Sequence, residues 1–133
     1  MGAAALWVFI GGGLGSLARW GVSAWMARQF GLGFPLGTLF VNATGSFFIG
    51  LVAALTGPDG RWLAPFSSRQ FMVAGLCGGY TTFSSFSLET LDLAQEGRWM
   101  TAALNATGSF VLCMLAVWLG HTIGMALNAS KGR

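Results

Sequence analysis

Ten consecutive residues, 78–87, combine paired glycines, hydroxyl side chains and aromatic rings in the order Gly-Gly-Tyr-Thr-Thr-Phe-Ser-Ser-Phe-Ser. They sit in the middle of an apolar segment, where two glycines and five Ser or Thr residues suit a continuous lipid-facing helix poorly. At membrane depth, irregular backbone is tolerated only where it is buried in protein or lines a cavity. A break would free carbonyl oxygens, which suit a hard cation such as sodium, and amides, which suit an anion. The alternative is a kinked, inert helix packed through its small residues.

Two aromatic rings in this stretch share one helix face, because Phe83 and Phe86 are three residues apart. The edge of an aromatic ring is electropositive. Two such edges facing a pathway would partly replace the water shell of a small anion without trapping it on a full charge. Simple packing is the alternative, and the neighbouring Thr-Thr and Ser-Ser pairs favour the pathway.

Polar residues in other apolar segments extend this chemistry. Asn42 can donate its amide N–H to an anion or to a neighbouring helix, and the residue alone favours the helix–helix hydrogen bond. Thr38 and Ser46 lie one turn to either side of it, and Ser109 could continue the polar stripe on another helix.

Arg19 is a charge well inside an apolar segment, and such residues are costly and usually functional. It could attract anions at a pore mouth. A structural role, by snorkelling or by pairing with Glu89 at similar depth, is equally compatible with the sequence.

The elements that carry these residues are predicted to be membrane-spanning helices. Of 133 residues, 54% are hydrophobic and 8% charged, whereas a soluble domain carries about 25% charged residues. A span needs about 20 mostly apolar residues. Four segments qualify: 4–27, 35–55, 71–93 and 100–127. We therefore predict an all-α integral membrane protein, a single domain over residues 1–133, with four transmembrane helices and a break in the third.

Several function classes have no support in the sequence. The excess of seven basic over four acidic residues is small and scattered, which argues against nucleic-acid binding. Cys77 and Cys113 lie in apolar stretches and are interpreted as packing residues. Without paired carboxylates, a nucleophile–base pair or a metal cluster, the chain is not expected to be an enzyme.

One hexapeptide occurs twice: Asn-Ala-Thr-Gly-Ser-Phe fills residues 42–47 in the second predicted span and 105–110 in the fourth. Duplication of a helical hairpin and coincidence in an apolar chain both explain it.

Loop charge gives only a weak orientation. The side with both termini holds four basic residues (Arg61, Arg69, Lys131 and Arg133), and the other holds Arg28 and Arg98, with Arg19 nearby. The bias is towards cytoplasmic termini. So weak a bias permits insertion both ways up, and hence an antiparallel dimer, although a single orientation is equally open.

Three motifs together resemble the Fluc (CrcB-type) fluoride channels over essentially the whole chain. They are Gly-Gly-Gly-Leu-Gly-Ser-Leu-Ala-Arg-Trp at 11–20, Gly-Thr-Leu-Phe-Val-Asn at 37–42, and Gly-Leu-Cys-Gly-Gly-Tyr-Thr-Thr-Phe-Ser-Ser-Phe-Ser-Leu-Glu at 75–89. The last is the most specific. Ser16 and Trp20 depart conservatively from the family pattern, and the tyrosine often found early in the fourth helix is missing, since Tyr80 is the only tyrosine.

The resemblance implies an antiparallel, dual-topology homodimer with two passive fluoride pores in membrane lipid, in the inner membrane of a bacterium. It implies a fluoride path along Phe83, Phe86 and Asn42, which we extend to Thr82, Ser84 and Ser109, with Arg19 at a vestibule. It also implies a structural sodium ion held by the backbone carbonyls of Gly78 and Thr81 from both subunits.

Two rival functions are weaker. A small multidrug-type exporter, also a dual-topology dimer, needs a membrane carboxylate to titrate, and the first span carries Arg19 but no Asp or Glu. A non-conducting assembly subunit would not need a hydroxyl-rich break in the third span.

Overall fold

Three long apolar runs fold into three long helices. The computed structural model describes residues 2–130, so Lys131 and Arg133 of the loop-charge argument, and Met1 of the predicted domain, lie outside the described residues. In chain order the elements are α1 (Gly2–Phe30), α2 (Leu36–Leu55), α3 (Phe66–Gln70), a π-helical segment (Phe71–Cys77), α4 (Gly78–Tyr80), α5 (Phe83–Gln95) and α6 (Trp99–Ala129). Helices α1, α2 and α6 are long and apolar enough to cross a membrane.

The predicted third span, 71–93, is divided in the structure. Helix α4 ends at Tyr80, Thr81 and Thr82 are extended (φ −81°, ψ 159° and φ −153°, ψ 116°), and α5 begins at Phe83. Thr82 is the N-cap of α5, since its hydroxyl oxygen accepts a hydrogen bond from Ser85 N at 3.1 Å. A capped new helix thus starts where the preceding glycines weaken the old one.

Glycines set the close contacts between helices. Helix α1 lies against the π-helical segment and α4, and α2 lies along α6. A Cβ on Gly11 would lie 2.6 Å from Phe71 O, and one on Gly124 would lie 2.6 Å from the Cβ of Ala54. Both glycines therefore lie in tightly packed contacts between helices.

The outer surface of the described chain is apolar, whereas one of its two largest fully buried side chains is polar. Phe9, Trp20 and Met100 are each more than 70% exposed, which suits contact with lipid acyl chains. The two largest side chains that are fully buried are Val41 and Asn105. These features describe a multi-pass membrane protein with a polar group at its centre.

Candidate functional site at the interrupted helix

The start of α5 presents a positive helix end in the middle of the predicted third span. Its 13 residues begin immediately after the extended pair. Thr82 Oγ1 donates to Ser85 Oγ at 3.1 Å, and Ser84 Oγ lies 3.2 Å from the same oxygen. The unpaired amides and the helix dipole of such an end favour anions.

Asn42 holds the extended backbone from α2. Its Nδ2 donates to Thr82 O at 2.9 Å, and Thr82 N donates to its Oδ1 at 2.7 Å. The helix–helix hydrogen bond that the residue alone favours is therefore formed, twice over. An amide nitrogen carries two protons. The second N–H of Asn42 meets no acceptor among residues 2–130, and the side chain lines a cavity, so it can still serve an anion there.

Several backbone carbonyls lose their helical donors at the break, among them those of Gly78 and Thr81. In a regular α-helix the N–H of residue i bonds to the carbonyl of residue i−4. Thr82 N turns to Asn42 and away from Gly78 O, and Ser85 N turns to Thr82 Oγ1 and away from Thr81 O. Neutral carbonyl oxygens of this kind are the ligands that a hard cation accepts.

The predicted path residues meet in one cavity of about 810 Å³. The rings of Phe83 and Phe86 stand there with centroids 5.4 Å apart, tilted by 52°. Five of the six predicted path residues line it: Asn42, Thr82, Phe83, Phe86 and Ser109. Ser84 does not, and its hydroxyl stays beside Thr82 at the helix start. The lining contains apolar, hydroxyl and amide side chains and no charged one.

Helix α6 forms one wall of this cavity, and Ser109 is the one residue of that wall that was predicted from the sequence. Helix α6 supplies Ala106, Phe110, Cys113 and Met114 to the same lining. Their spacing of three to four residues around Ser109 is that of a single helix face, and this periodicity was the signal that would have found them.

Arg19 and Glu89 do not pair with each other in the structure. Arg19 Nε donates to Gly79 O at 3.1 Å, at the end of α4, and Arg19 does not line the cavity. Glu89 Oε1 accepts a hydrogen bond from Thr38 Oγ1 at 2.7 Å. Arg19 therefore makes a structural contact with the backbone next to the break, and not with the carboxylate of Glu89.

Comparison with known proteins gives one consistent result. The family model described as "CrcB-like protein, Camphor Resistance (CrcB)" matches residues 6–121. A protein of Opitutus terrae is 50% identical, covering 96% of both chains, and one of Methylocella silvestris is 50% identical, covering 96% of this chain and 97% of that one. A third, of Rhodospirillum rubrum, is 53% identical, covering 92% and 95%. All three are named fluoride-specific ion channel FluC.

Proposed function

The chain belongs to the CrcB-like family, and we propose that it is a fluoride-specific ion channel that lets fluoride leave the cell passively. The relatives' names support a channel. They give no support to the three alternatives, which are an enzyme, a multidrug-type exporter and a non-conducting assembly subunit. A bacterial inner membrane is the proposed location, since these relatives come from bacteria.

The observation that carries this proposal is the uncharged lining of the cavity. Fluoride is small and holds its water tightly, so a conducting path must offer several weak donors in place of that water. A fixed positive charge would hold the ion too well, because conduction needs binding that is weak and spread over several sites. The edges of Phe83 and Phe86 and the second N–H of Asn42 are donors of this weak kind.

A second copy of the chain is proposed to close the path. The cavity-lining residues Phe83 and Phe110 are 79% and 68% exposed in the isolated chain, so one chain does not enclose an ion. The weak charge asymmetry of the loops supports an antiparallel arrangement. Each subunit of such a dimer would contribute one cavity, so the dimer would contain two fluoride paths. Labelling of one engineered loop cysteine from each membrane face tests this, and labelling from a single face would contradict it.

A structural sodium ion is proposed at the break, where the donor set fits it. Gly78 O and Thr81 O have lost their helical donors, and the same pair from an antiparallel partner would complete four oxygens. The ion would supply a positive charge that holds four carbonyl dipoles together. Melting of the purified dimer in sodium and in N-methylglucamine tests this, and equal melting temperatures would contradict it.

The vestibule role of Arg19 stays a prediction. Its contact with Gly79 O supports a structural role, and its charge supports an electrostatic one. Arg19→Lys keeps the positive charge but replaces the planar guanidinium group and its five N–H donors by an ammonium group. Full fluoride efflux in this variant, with a loss in Arg19→Gln, would support the electrostatic role.

Efflux from proteoliposomes tests the function directly. Vesicles loaded with potassium fluoride or potassium chloride are diluted into salt of an impermeant anion, and a potassium ionophore starts efflux. We expect rapid fluoride efflux and chloride efflux indistinguishable from protein-free vesicles. Equal rates for the two anions would contradict a fluoride-specific channel.

A further inference from the structure

The second turn of α6 holds an amide that the proposed fluoride path does not use. Asn105 is 1% exposed, and with Val41 it is one of the two largest fully buried side chains. Burying an amide is costly unless its donors and acceptor are paired. Asn105 begins the second copy of the repeated hexapeptide, so its pairing also bears on the function of that repeat.

The directions of the hydrogen bonds around Asn105 are determined by the chemistry of its neighbours. Thr90 Oγ1 donates its single proton to Phe86 O at 2.7 Å. It must therefore accept from Asn105 Nδ2, 2.8 Å away. This leaves Asn105 Oδ1 facing Ser109, whose hydroxyl donates to it at 3.2 Å. The result is a directed chain from Ser109 through Asn105 and Thr90 to the backbone of Phe86.

This chain joins two walls of the same cavity. Ser109 lies on α6 and Phe86 on α5, and both line it. Thr90 lies one turn beyond Phe86 on α5, so a bond from α6 at this point opposes rotation of α5 about its own axis. Rotation of α5 would turn the Phe86 ring, which is 5.4 Å from that of Phe83.

We propose that Asn105 is a positioning residue which, through Thr90, holds the ring of Phe86 at the angle that the fluoride path requires. The proposal rests on the proposed fluoride channel. It has a second consequence, because a serine hydroxyl has one proton. Ser109 can donate to fluoride only by turning that proton away from Asn105 Oδ1, so the amide oxygen and the ion compete for it.

The test reads the ring and the efflux separately. 4-Fluorophenylalanine is placed at position 86, and its ¹⁹F resonance is recorded in the wild-type background and in Thr90→Val, Thr90→Ser and Asn105→Leu. Valine has the shape of threonine without the hydroxyl, and serine keeps the hydroxyl. Thr122→Val is the matched control, since Thr122 bonds only to Trp118 O in its own helix and lies outside the cavity lining.

We expect Thr90→Val and Asn105→Leu to shift the resonance and to slow fluoride efflux about three- to tenfold, as loss of one or two buried hydrogen bonds implies. Thr90→Ser is expected to restore both, and Thr122→Val to change neither. An unmoved resonance in Thr90→Val overturns the proposal, even where Asn105→Leu does not fold. Equal losses in Thr90→Ser and Thr90→Val also overturn it. Absent wild-type fluoride efflux would defeat the proposed function alone, since the resonance reports the ring without conduction.

Discussion

The repeated hexapeptide allows the same six residues to be compared in two places. In α2, Asn42 bonds to the backbone N–H and carbonyl of Thr82, where α4 and α5 are separated. In α6, Asn105 bonds to two side-chain hydroxyls, those of Thr90 and Ser109. One copy thus holds irregular backbone in place, and the other holds a regular helix. The chemistry of the partner, and not the motif, decides what a buried asparagine does.

The glycine and the threonine of the two copies also differ in their contacts. A Cβ on Gly45 would overlap Thr81 Cγ2, whereas one on Gly108 would meet nothing within 4 Å. Thr44 and Thr107 each donate to the carbonyl four residues back in their own helix, and Thr44 Oγ1 also lies 3.1 Å from the Tyr80 hydroxyl, across the helix contact. The α2 copy contacts the break at three positions, Asn42, Thr44 and Gly45. The α6 copy contacts α5 through its first residue, Asn105.

The largest expected effect comes from removing the amide at the break. Asn42→Ala removes the acceptor of the Thr82 N–H and one donor to the Thr82 carbonyl, and the unpaired N–H alone costs about 1–3 kcal/mol. We expect a clear fall in melting temperature and loss of fluoride efflux. Detergent melting followed by gel filtration, together with liposome efflux, measures both.

Asn128 offers a matched control, because its amide also bridges two backbone groups, Arg61 N and Ala54 O, outside the cavity lining. Asn128→Ala should lower the melting temperature and leave efflux from folded protein intact. If folded Asn42→Ala protein conducts as well as folded Asn128→Ala protein, the break does not depend on Asn42.

A smaller effect is expected from adding one methyl group to each copy. In Gly45→Ala the new methyl must displace Thr81, and overpacking of this kind costs about 1–3 kcal/mol. In Gly108→Ala it enters open space, and alanine is better than glycine in a helix by about 0.5–1 kcal/mol. The melting temperatures of the two variants should therefore shift in opposite directions. A cost at Gly108 would break the comparison and place the partner subunit against that face.

The smallest effect is expected at the threonines. Thr44→Val and Thr107→Val each remove a bond within one helix turn, and Thr44→Val also removes the contact with the Tyr80 hydroxyl, worth about 0.5–1.5 kcal/mol. Tyr80→Phe should cost about as much as Thr44→Val costs beyond Thr107→Val, and the double variant of Thr44 and Tyr80 should cost no more than Thr44→Val alone. Additive costs would show that the two hydroxyls do not act together.

Much of the fold could be predicted because hydrophobic length is explicit in the sequence. Three of the four predicted spans, at 4–27, 35–55 and 100–127, correspond to α1, α2 and α6. The helix bounds run further than predicted at both ends of α1 and α6, since polar residues at a membrane surface can continue a helix. The π-helical turns at Phe71–Cys77 could not be foreseen, because their hydrogen bonds depend on how α1 packs against them.

The site was predictable where residue types were unusual for a span. Glycines, hydroxyls and paired rings drew attention to residues 78–87, and five of the six predicted path residues line one cavity. The partners of Asn42, Arg19 and Glu89 were not predictable, because each lies on another helix and depends on the rotation of that helix. Asn105 is distinguished in the sequence only by its place in the repeated hexapeptide, because its burial depends on how the helices pack.

The central claim is that the paired rings of α5 act electrostatically on fluoride, and one efflux comparison tests it most directly. Phe83→Ile and Phe86→Ile keep apolar bulk and remove the ring quadrupole. Phe9→Ile is the control, because Phe9 is 78% exposed on α1 and lies outside the cavity lining. We predict that each cavity variant slows fluoride efflux at least about tenfold, equivalent to roughly 1.4 kcal/mol of lost stabilisation, while each variant elutes like the wild-type protein and Phe9→Ile conducts like wild type. Wild-type efflux in both Phe83→Ile and Phe86→Ile would contradict the account and leave the rings as packing residues.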